Sequence, residues 1–289
     1  MELKRSSTYT LNNAAEIPVT GTGVFGIPPG EKTRSAVRMA IEYGYTMFDT
    51  ARVYCNEKGV GRGIADSGVP REKLFITTKL WKTDYLNPRK GLTDSLKRLG
   101  LDYVDLFLLH WPFQGYVNAY LELEKLQREG LCRSIGVSNF KIHHLEELKK
   151  SGIALMPQVN QTEVHPLNSE TELLQYCKQN GILLQSYSSL GGVGHLVIDD
   201  PRLIGICEYY NRTPSQVIIR WGIQRGISVL TKSVHPERLI QNSNVFDFEL
   251  SSGDMDIIFD MNRNARRNYD PDKIDNRPPE LEPKIVEEE

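Results

Sequence analysis

The sequence predicts an α/β protein built as one (β/α)8 barrel, and three observations carry that prediction. Short β-branched or leucine-rich runs alternate with longer stretches of helical period from about residue 17 to 230, the order expected of repeated βα units around a parallel sheet. The polar residues that close successive runs, Asp49, Lys79, His110 and Asn139, recur about thirty residues apart, room for one strand, two turns and one helix. The length of 289 residues accommodates such a barrel together with a short N-terminal hairpin and a C-terminal extension.

The hairpin is expected at residues 8–11 and 16–19, turning at Asn12-Asn13. Barrel strands then follow near Val19, at Thr46-Met47-Phe48, at Leu74-Phe75-Ile76 and at residues 104–109. The remaining four are expected at Ser134-Ile135-Gly136-Val137, at residues 156–159, at Ile182-Leu183-Leu184 and at residues 227–230. The uniform apolar runs among them are those of strands buried on both faces. Between strands, sets such as Val37, Ala40 and Ile41, or Leu173, Tyr176 and Cys177, place apolar side chains on one helix face. Gly44, Gly100, Gly130, Gly152 and Gly181 stand where these helices stop. No internal linker divides residues 1–289, so one domain is expected. Only residues 264–289 change composition, rich in proline and charge and closing with Glu287-Glu288-Glu289, which predicts a lid segment or a frayed tail. The glycines of Gly59-Val60-Gly61-Arg62-Gly63 do not make a dinucleotide loop, because the spacing is wrong and no strand precedes them.

Composition excludes several classes. The 35 basic and 37 acidic residues leave no global field to gather nucleic acid or an anionic membrane. The longest apolar runs fall far below the roughly 18 residues of a membrane span, and the polar first residues lack a signal-peptide core. A soluble cytoplasmic protein is expected. Cys55, Cys132, Cys177 and Cys207 show no CxxC spacing and read as isolated reduced thiols, which makes the Asn211-Arg212-Thr213 sequon a chance match. The six histidines include neither HxH nor HExxH, so no metal centre is expected. His143-His144 reads as a solvated helix face, and His165 as a loop cap or a ligand contact.

In a barrel, side chains at the C-terminal strand ends converge on one mouth. There the sequence places Asp49 with Tyr54 after the second strand, Lys79 after the third and His110 after the fourth. A buried Lys79 needs a counter-ion, and Asp49 is the natural one. An ammonium beside Tyr54 is expected to lower the phenol's pKa and make it a usable proton donor. His110 can orient a substrate oxygen by a hydrogen bond.

These residues sit in motifs that closely resemble the aldo-keto reductase family, in particular its smaller microbial branch with the diketogluconate reductases. The resemblance runs from about residue 10 to 275. Its motifs are Gly21-Thr22-Gly23-Val24-Phe25, Asp49-Thr50-Ala51 with Tyr54, Thr77-Thr78-Lys79-Leu80-Trp81 and Leu109-His110-Trp111-Pro112. Further along come Ile135-Gly136-Val137-Ser138-Asn139-Phe140, Val159-Asn160-Gln161 with His165-Pro166, and Lys232-Ser233-Val234 before Pro236-Glu237-Arg238. The resemblance implies an NADPH-dependent carbonyl reductase with a tetrad of Asp49, Tyr54, Lys79 and His110. It further implies that Ser138, Asn139 and Gln161 bind the cofactor's carboxamide and that Tyr187 stacks on its nicotinamide. Lys232, Ser233 and Arg238 would grip the adenosine 2′-phosphate, with Asn242 near the adenine. Phe25, Trp81 and Trp111 would wall the substrate side. The resemblance implies a small-molecule carbonyl substrate and neither nucleic-acid nor membrane partners, and a monomer is expected. The alternative is a barrel that binds nicotinamide nucleotide as a sensor or partner subunit with negligible turnover, against which the intact tetrad argues.

Overall fold

The computed structural model describes residues 4–191, 197–278, 280 and 282–285. Behind an antiparallel hairpin of β1 (Thr8–Thr10) and β2 (Glu16–Pro18), eight parallel strands close on themselves. They are β3 (Thr20–Gly23), β4 (Met47–Asp49), β5 (Phe75–Leu80), β6 (Val104–Leu109), β7 (Cys132–Ser138), β8 (Val159–Glu163), β9 (Leu183–Tyr187) and β10 (Ser228–Thr231), with β10 pairing to β3 to complete the ring. The helices outside are α1 (Glu31–Glu42), α2 (Glu57–Ser67), α3 (Pro88–Leu99), α4 (Tyr116–Arg128) and α5 (Ile142–Lys150), then α6 (Thr171–Gln179), α7 (Pro201–Tyr210), α8 (Pro214–Gln224), α9 (Pro236–Ser243) and α10 (Ser252–Phe259). This is the (β/α)8 barrel the sequence predicts. Among the described residues no helix is long and apolar enough to cross a membrane.

Several strands run later than expected, two of them most clearly. Val19 ends the hairpin, and the barrel strand after it starts at Thr20; the run at residues 156–159 only leads into β8, which is Val159-Asn160-Gln161-Thr162-Glu163. Both shifts have one cause: the downstream halves of these strands carry polar or small side chains into the mouth, so apolarity marks where a strand begins and not where it ends.

Alternation along the strands separates two apolar layers. Met47, Phe75, Leu106, Leu108, Val159 and Leu230 point into the barrel and cluster with Leu11 and Ile17 of the hairpin. Phe48, Ile76, Phe107, Leu109, Ile135 and Val137 point outward beneath the helices. The lumen is tight: a Cβ on Gly136 would lie 2.4 Å from the Val159 carbonyl oxygen. The hairpin is tied to distant parts of the chain, Tyr9 Oη donating to the Ile223 carbonyl in α8, Asn12 Nδ2 to the Met156 carbonyl before β8 and Asn13 Nδ2 to the Arg133 carbonyl in β7.

The five helix-stopping glycines all have positive φ. At Gly100, φ of 65° turns the chain so that its N–H reaches the Leu96 and Lys97 carbonyls as a left-handed cap. The 59–63 glycine run lies inside α2, where a Cβ on Gly61 would fall 1.9 Å from the Leu99 carbonyl oxygen and one on Gly63 would lie 2.7 Å from that of Arg34. These glycines let α2 pack closely on α1 and α3. All four cysteines are free, and three are buried.

Candidate active site

The inward alternation that buries Phe75 continues through Thr77 to Lys79, which puts the lysine at the top of the lumen with none of its surface exposed. Its Nζ donates to Asp49 Oδ1 at 2.5 Å, to the Thr50 carbonyl at 2.9 Å and to Tyr54 Oη at 3.3 Å. Asp49 ends β4, and the chain then makes a short 3-10 turn, Arg52–Tyr54, that brings the half-buried Tyr54 back over the lysine. Buried Asn56 holds this turn: Thr50 Oγ1 donates to its Oδ1, and its Nδ2 donates to the Val24 carbonyl. Behind it, buried Glu57 receives Thr78 Oγ1 and pairs with Arg98. His110 follows β6 directly and stands edge-on to Tyr54, with ring centroids 5.6 Å apart.

Burial pushes the Lys79 ammonium below its ordinary pKa, opposed by the Asp49 carboxylate and its hydrogen bond. The Tyr54 phenol is raised well above its ordinary value, first by burial and then by Asp49 and Tyr187. The expectation that Lys79 lowers it is therefore corrected: desolvation of the phenolate outweighs the ammonium, and Tyr54 stays protonated. His110 is pushed well below the usual imidazole range by burial, then by Lys79 and Arg277. It is therefore neutral, and its Nδ1 is buried without a hydrogen-bond partner among the described residues.

Beside this cluster, Asn139 closes a second group. Its Nδ2 donates to the His110 carbonyl at 3.0 Å and to Ser138 Oγ at 3.1 Å, while its Oδ1 accepts from Tyr187 Oη at 2.5 Å. Ser138 Oγ donates to the Gln161 carbonyl, and Gln161 Nε2 donates to Asp49 Oδ2 at 2.7 Å, so the two groups are joined. Tyr187 is half-buried at the end of β9.

Lys232 and Ser233 follow β10 and Arg238 and Asn242 lie in α9, which Pro236 opens as expected of the first helical position. Ser233 and Asn242 are buried, and Ser233 Oγ receives the His235 N–H. Lys232 and Arg238 are exposed and form no ion pair among the described residues. On the opposite side, Phe25 is 67% exposed with its ring 4.9 Å from that of Tyr54, and Trp81 is buried edge-on to His110 at 5.3 Å. Trp111 is buried too, and its carbonyl accepts Tyr85 Oη.

Three functional-looking residues escaped the sequence reading. Arg266 donates to Thr162 Oγ1 and Glu170 Oε1, both at 3.0 Å, and reaches Asn139 Oδ1 at 3.4 Å. Buried Glu163 receives the N–H groups of Arg267 and Asn268 as well as His165 Nε2, the last at 2.9 Å. Burial raises the Glu163 carboxyl, but these hydrogen bonds outweigh it and bring the pKa down to about 2. The third, Gln185, lies in the lumen below. A strand-end position is the signal that could have found Glu163; Arg266 lies where only composition changes. His165 is thereby a buried anchor for the loop.

The C-terminal segment continues along the mouth, with Lys141 paired to Asp270 and Asp272, Asp275 accepting the Gln114 N–H, and Glu282 paired to Lys82. Residues 279, 281 and 286–289 of the expected extension lie outside the described residues. His143, His144 and Asp272 gather within metal-ligating distance; the reading as a solvated face is corrected for His144, which is buried, while His143 is exposed. His144 Nδ1 accepts the Lys141 N–H at 3.1 Å and burial lowers its pKa to about 4, so its neutral ring carries the proton on Nε2. That proton faces Asp272 and leaves no lone pair there for an ion.

A parallel barrel with a buried lysine–carboxylate pair, a protonated phenol and a neutral imidazole at its mouth has the equipment of an acid–base enzyme working on a polar small molecule. Residues 19–263 match the aldo/keto reductase family, and the chain belongs to it, an oxidoreductase family. It is 44% identical to glyoxal reductase of Bacillus subtilis over 277 residues, 95% of this chain and 99% of the relative. Methylglyoxal reductase DkgA of Escherichia coli O157:H7 is 41% identical over 268 residues, 91% of this chain and 96% of the relative. An aldo-keto reductase of Bombyx mori, solved in complex with NADP, superposes with a TM-score of 0.87 at 34% identity, over 94% of this chain and 98% of that one.

Proposed function

We propose that the protein reduces aldehydes or ketones to alcohols with NADPH, with small 1,2-dicarbonyls such as glyoxal and methylglyoxal as the first substrates to try. The observation that carries this reading is the direction of the hydrogen bond from Lys79 to Tyr54. Because the ammonium donates to the phenol oxygen, the hydroxyl hydrogen is left free to point at a substrate oxygen.

Bound NADPH supplies a hydride to the carbonyl carbon. Tyr54 gives its proton to the carbonyl oxygen, and the phenolate left behind lies 3.3 Å from Lys79, whose charge Asp49 holds in place. Neutral His110 orients the oxygen, and solvent returns the proton to Tyr54. Ser138, Asn139 and Gln161 would hold the carboxamide and Tyr187 would lie against the nicotinamide. The donor set after β10 suits the adenosine phosphate: two cations without an ion pair among the described residues stand beside the first turn of α9, whose positive dipole end favours an anion. Asn242 would sit near the adenine. Phe25, Trp81 and Trp111 would wall the substrate, and the described part of residues 264–285 would act with the barrel as a lid on one domain.

The test is consumption of NADPH with a panel of dicarbonyls, aromatic aldehydes, sugars and keto-steroids, for the parent and Tyr54→Phe. Tyr54→Phe is expected to bind NADPH as the parent does and to lose about 10²–10⁴-fold in kcat/KM. A loss under about tenfold would remove Tyr54 as the acid. A parent that binds NADPH and leaves it unoxidised with every carbonyl would be a sensor and not a reductase.

A further inference from the structure

Below the tetrad, a file of buried polar side chains crosses the barrel lumen. Ser228 Oγ on β10 donates to the Pro18 carbonyl at 3.1 Å and accepts Gln185 Nε2 at 3.2 Å. Gln185 Oε1 accepts Gln161 Nε2 at 2.8 Å, and the other hydrogen of that Nε2 goes to Asp49 Oδ2 at 2.7 Å. All three side chains are fully buried or nearly so, with Gln185 and Ser228 at 0% exposure and Gln161 at 1%.

The polarity of this file follows from its ends. A backbone carbonyl can only accept, so the single Ser228 hydrogen goes to Pro18 and Ser228 must then accept from Gln185. That turns the Gln185 amide so that its oxygen meets Gln161, which in turn aims the Gln161 NH2 at Asp49. Rotating either amide by half a turn would set two acceptors face to face in a site without water contact, a costly arrangement. Asp49 therefore meets only donors, Lys79 on one oxygen and Gln161 on the other.

We propose that Gln185 is a positioning residue for the proton donor: by fixing the Gln161 amide it holds Asp49 as a pure acceptor, which keeps Lys79 charged and donating and leaves the Tyr54 hydrogen directed at substrate. This rests on the reading of Tyr54 as the acid. The titratable or charged groups around the pair are Asp49 on β4, Glu57 on α2, His110 after β6 and Tyr187 on β9, with Arg277 acting on His110. The file itself contributes no titrating group, so it acts through orientation alone.

Gln185→Met keeps an unbranched side chain of similar size and removes both hydrogen-bonding ends. Its NADPH affinity, read by fluorescence quenching, is expected to stay within about threefold of the parent, while kcat with methylglyoxal falls about tenfold. The ascending, acid-side limb of the pH profile of the reverse alcohol oxidation, where Tyr54 must be a phenolate to take the proton, is expected to move up by at least about half a pH unit, because the phenolate loses part of its ammonium neighbour. In the cofactor-free protein, the 15N resonance of Lys79 is expected to titrate at a lower pH than in the parent. Ser228→Ala, which cuts the file one link further out, moves the same two readouts in the same direction by less and serves if Gln185→Met does not fold. A lower melting temperature with an unmoved pH profile and an unmoved Lys79 titration would make Gln185 a packing residue and overturn the inference. A parent inactive on every carbonyl would fail the reading of Tyr54 instead, and the Lys79 titration would still decide the file.

Discussion

Every side-chain N–H of Lys79, Asn139 and Gln161 has an acceptor before any ligand arrives, whereas on the turn from Lys232 to Asn242 the two cations stand in solvent without an ion pair among the described residues. The difference follows from where charge comes from. At the mouth it develops during the reaction on a carbonyl oxygen and on Tyr54, and only groups already oriented stabilise it without reorganising. At the turn the ligand would bring its own charge, and exposed side chains can close on a phosphate that is already anionic. Preorganisation is spent where the transition state is, and adaptability is left where the ground state is bound.

The contrast can be broken most severely at its buried end. Lys79→Met leaves Asp49 without a counter-ion, and breaking a buried pair typically costs about 3–5 kcal/mol. Urea unfolding should show a loss of that order together with nearly abolished turnover; an unchanged midpoint would mean that water reaches Asp49 and the mouth is not sealed. A smaller break uses pH at the C-terminal anchor. Glu163 has its pKa held at about 2, below the ordinary glutamate value of about 4.3. Its contribution is therefore present above about pH 5 and lost as the pH falls through 4 towards 2. At roughly 1.4 kcal/mol per pKa unit this amounts to about 3 kcal/mol, so the melting temperature of the parent should fall more steeply between pH 5 and 2 than that of Glu163→Gln. Parallel curves would show that the segment from Arg266 to Asn268 is held by something else.

The gentlest comparison sets the two ends against each other directly. Arg238→Ala, and in smaller measure Lys232→Met, should weaken NADPH by about ten- to a hundredfold and leave NADH almost untouched, with the difference shrinking at high salt. Arg266→Met, at the carboxamide end, should weaken both cofactors alike by a few-fold. Equal losses for NADPH and NADH at Arg238 would mean that it shapes the site and does not read a phosphate.

How much of this was legible in the sequence depended on what a residue interrupts. Asp49, Lys79 and His110 stand out because each ends an apolar run, and a barrel turns strand ends into a mouth. Glu163 and Gln185 lie in strands whose upper halves are polar, so the same rule that finds Asp49, Lys79 and His110 hides them, and Gln161 was named only through the family resemblance. Arg266 was invisible for another reason: its partners, Asn139, Thr162 and Glu170, are about a hundred residues away, and nothing local marks it. The tyrosine's pKa was misjudged because sequence reveals the neighbouring ammonium and not the depth at which both are buried.

The N-terminal hairpin has a consequence for how the chain acquires its shape. Its seat is made of Arg133, Met156 and Ile223, so backbone made before any barrel strand waits for residues made near the end of the barrel before it can dock. Contacts of such sequence separation slow folding, because loop closure precedes any stabilisation they return. A nascent chain ending short of residue 223 would carry Leu11 and Ile17 without the full floor of the barrel to receive them, exposing an apolar strand pair to other chains. The hairpin is thus a checkpoint on completeness, satisfied only when the eighth strand has been delivered.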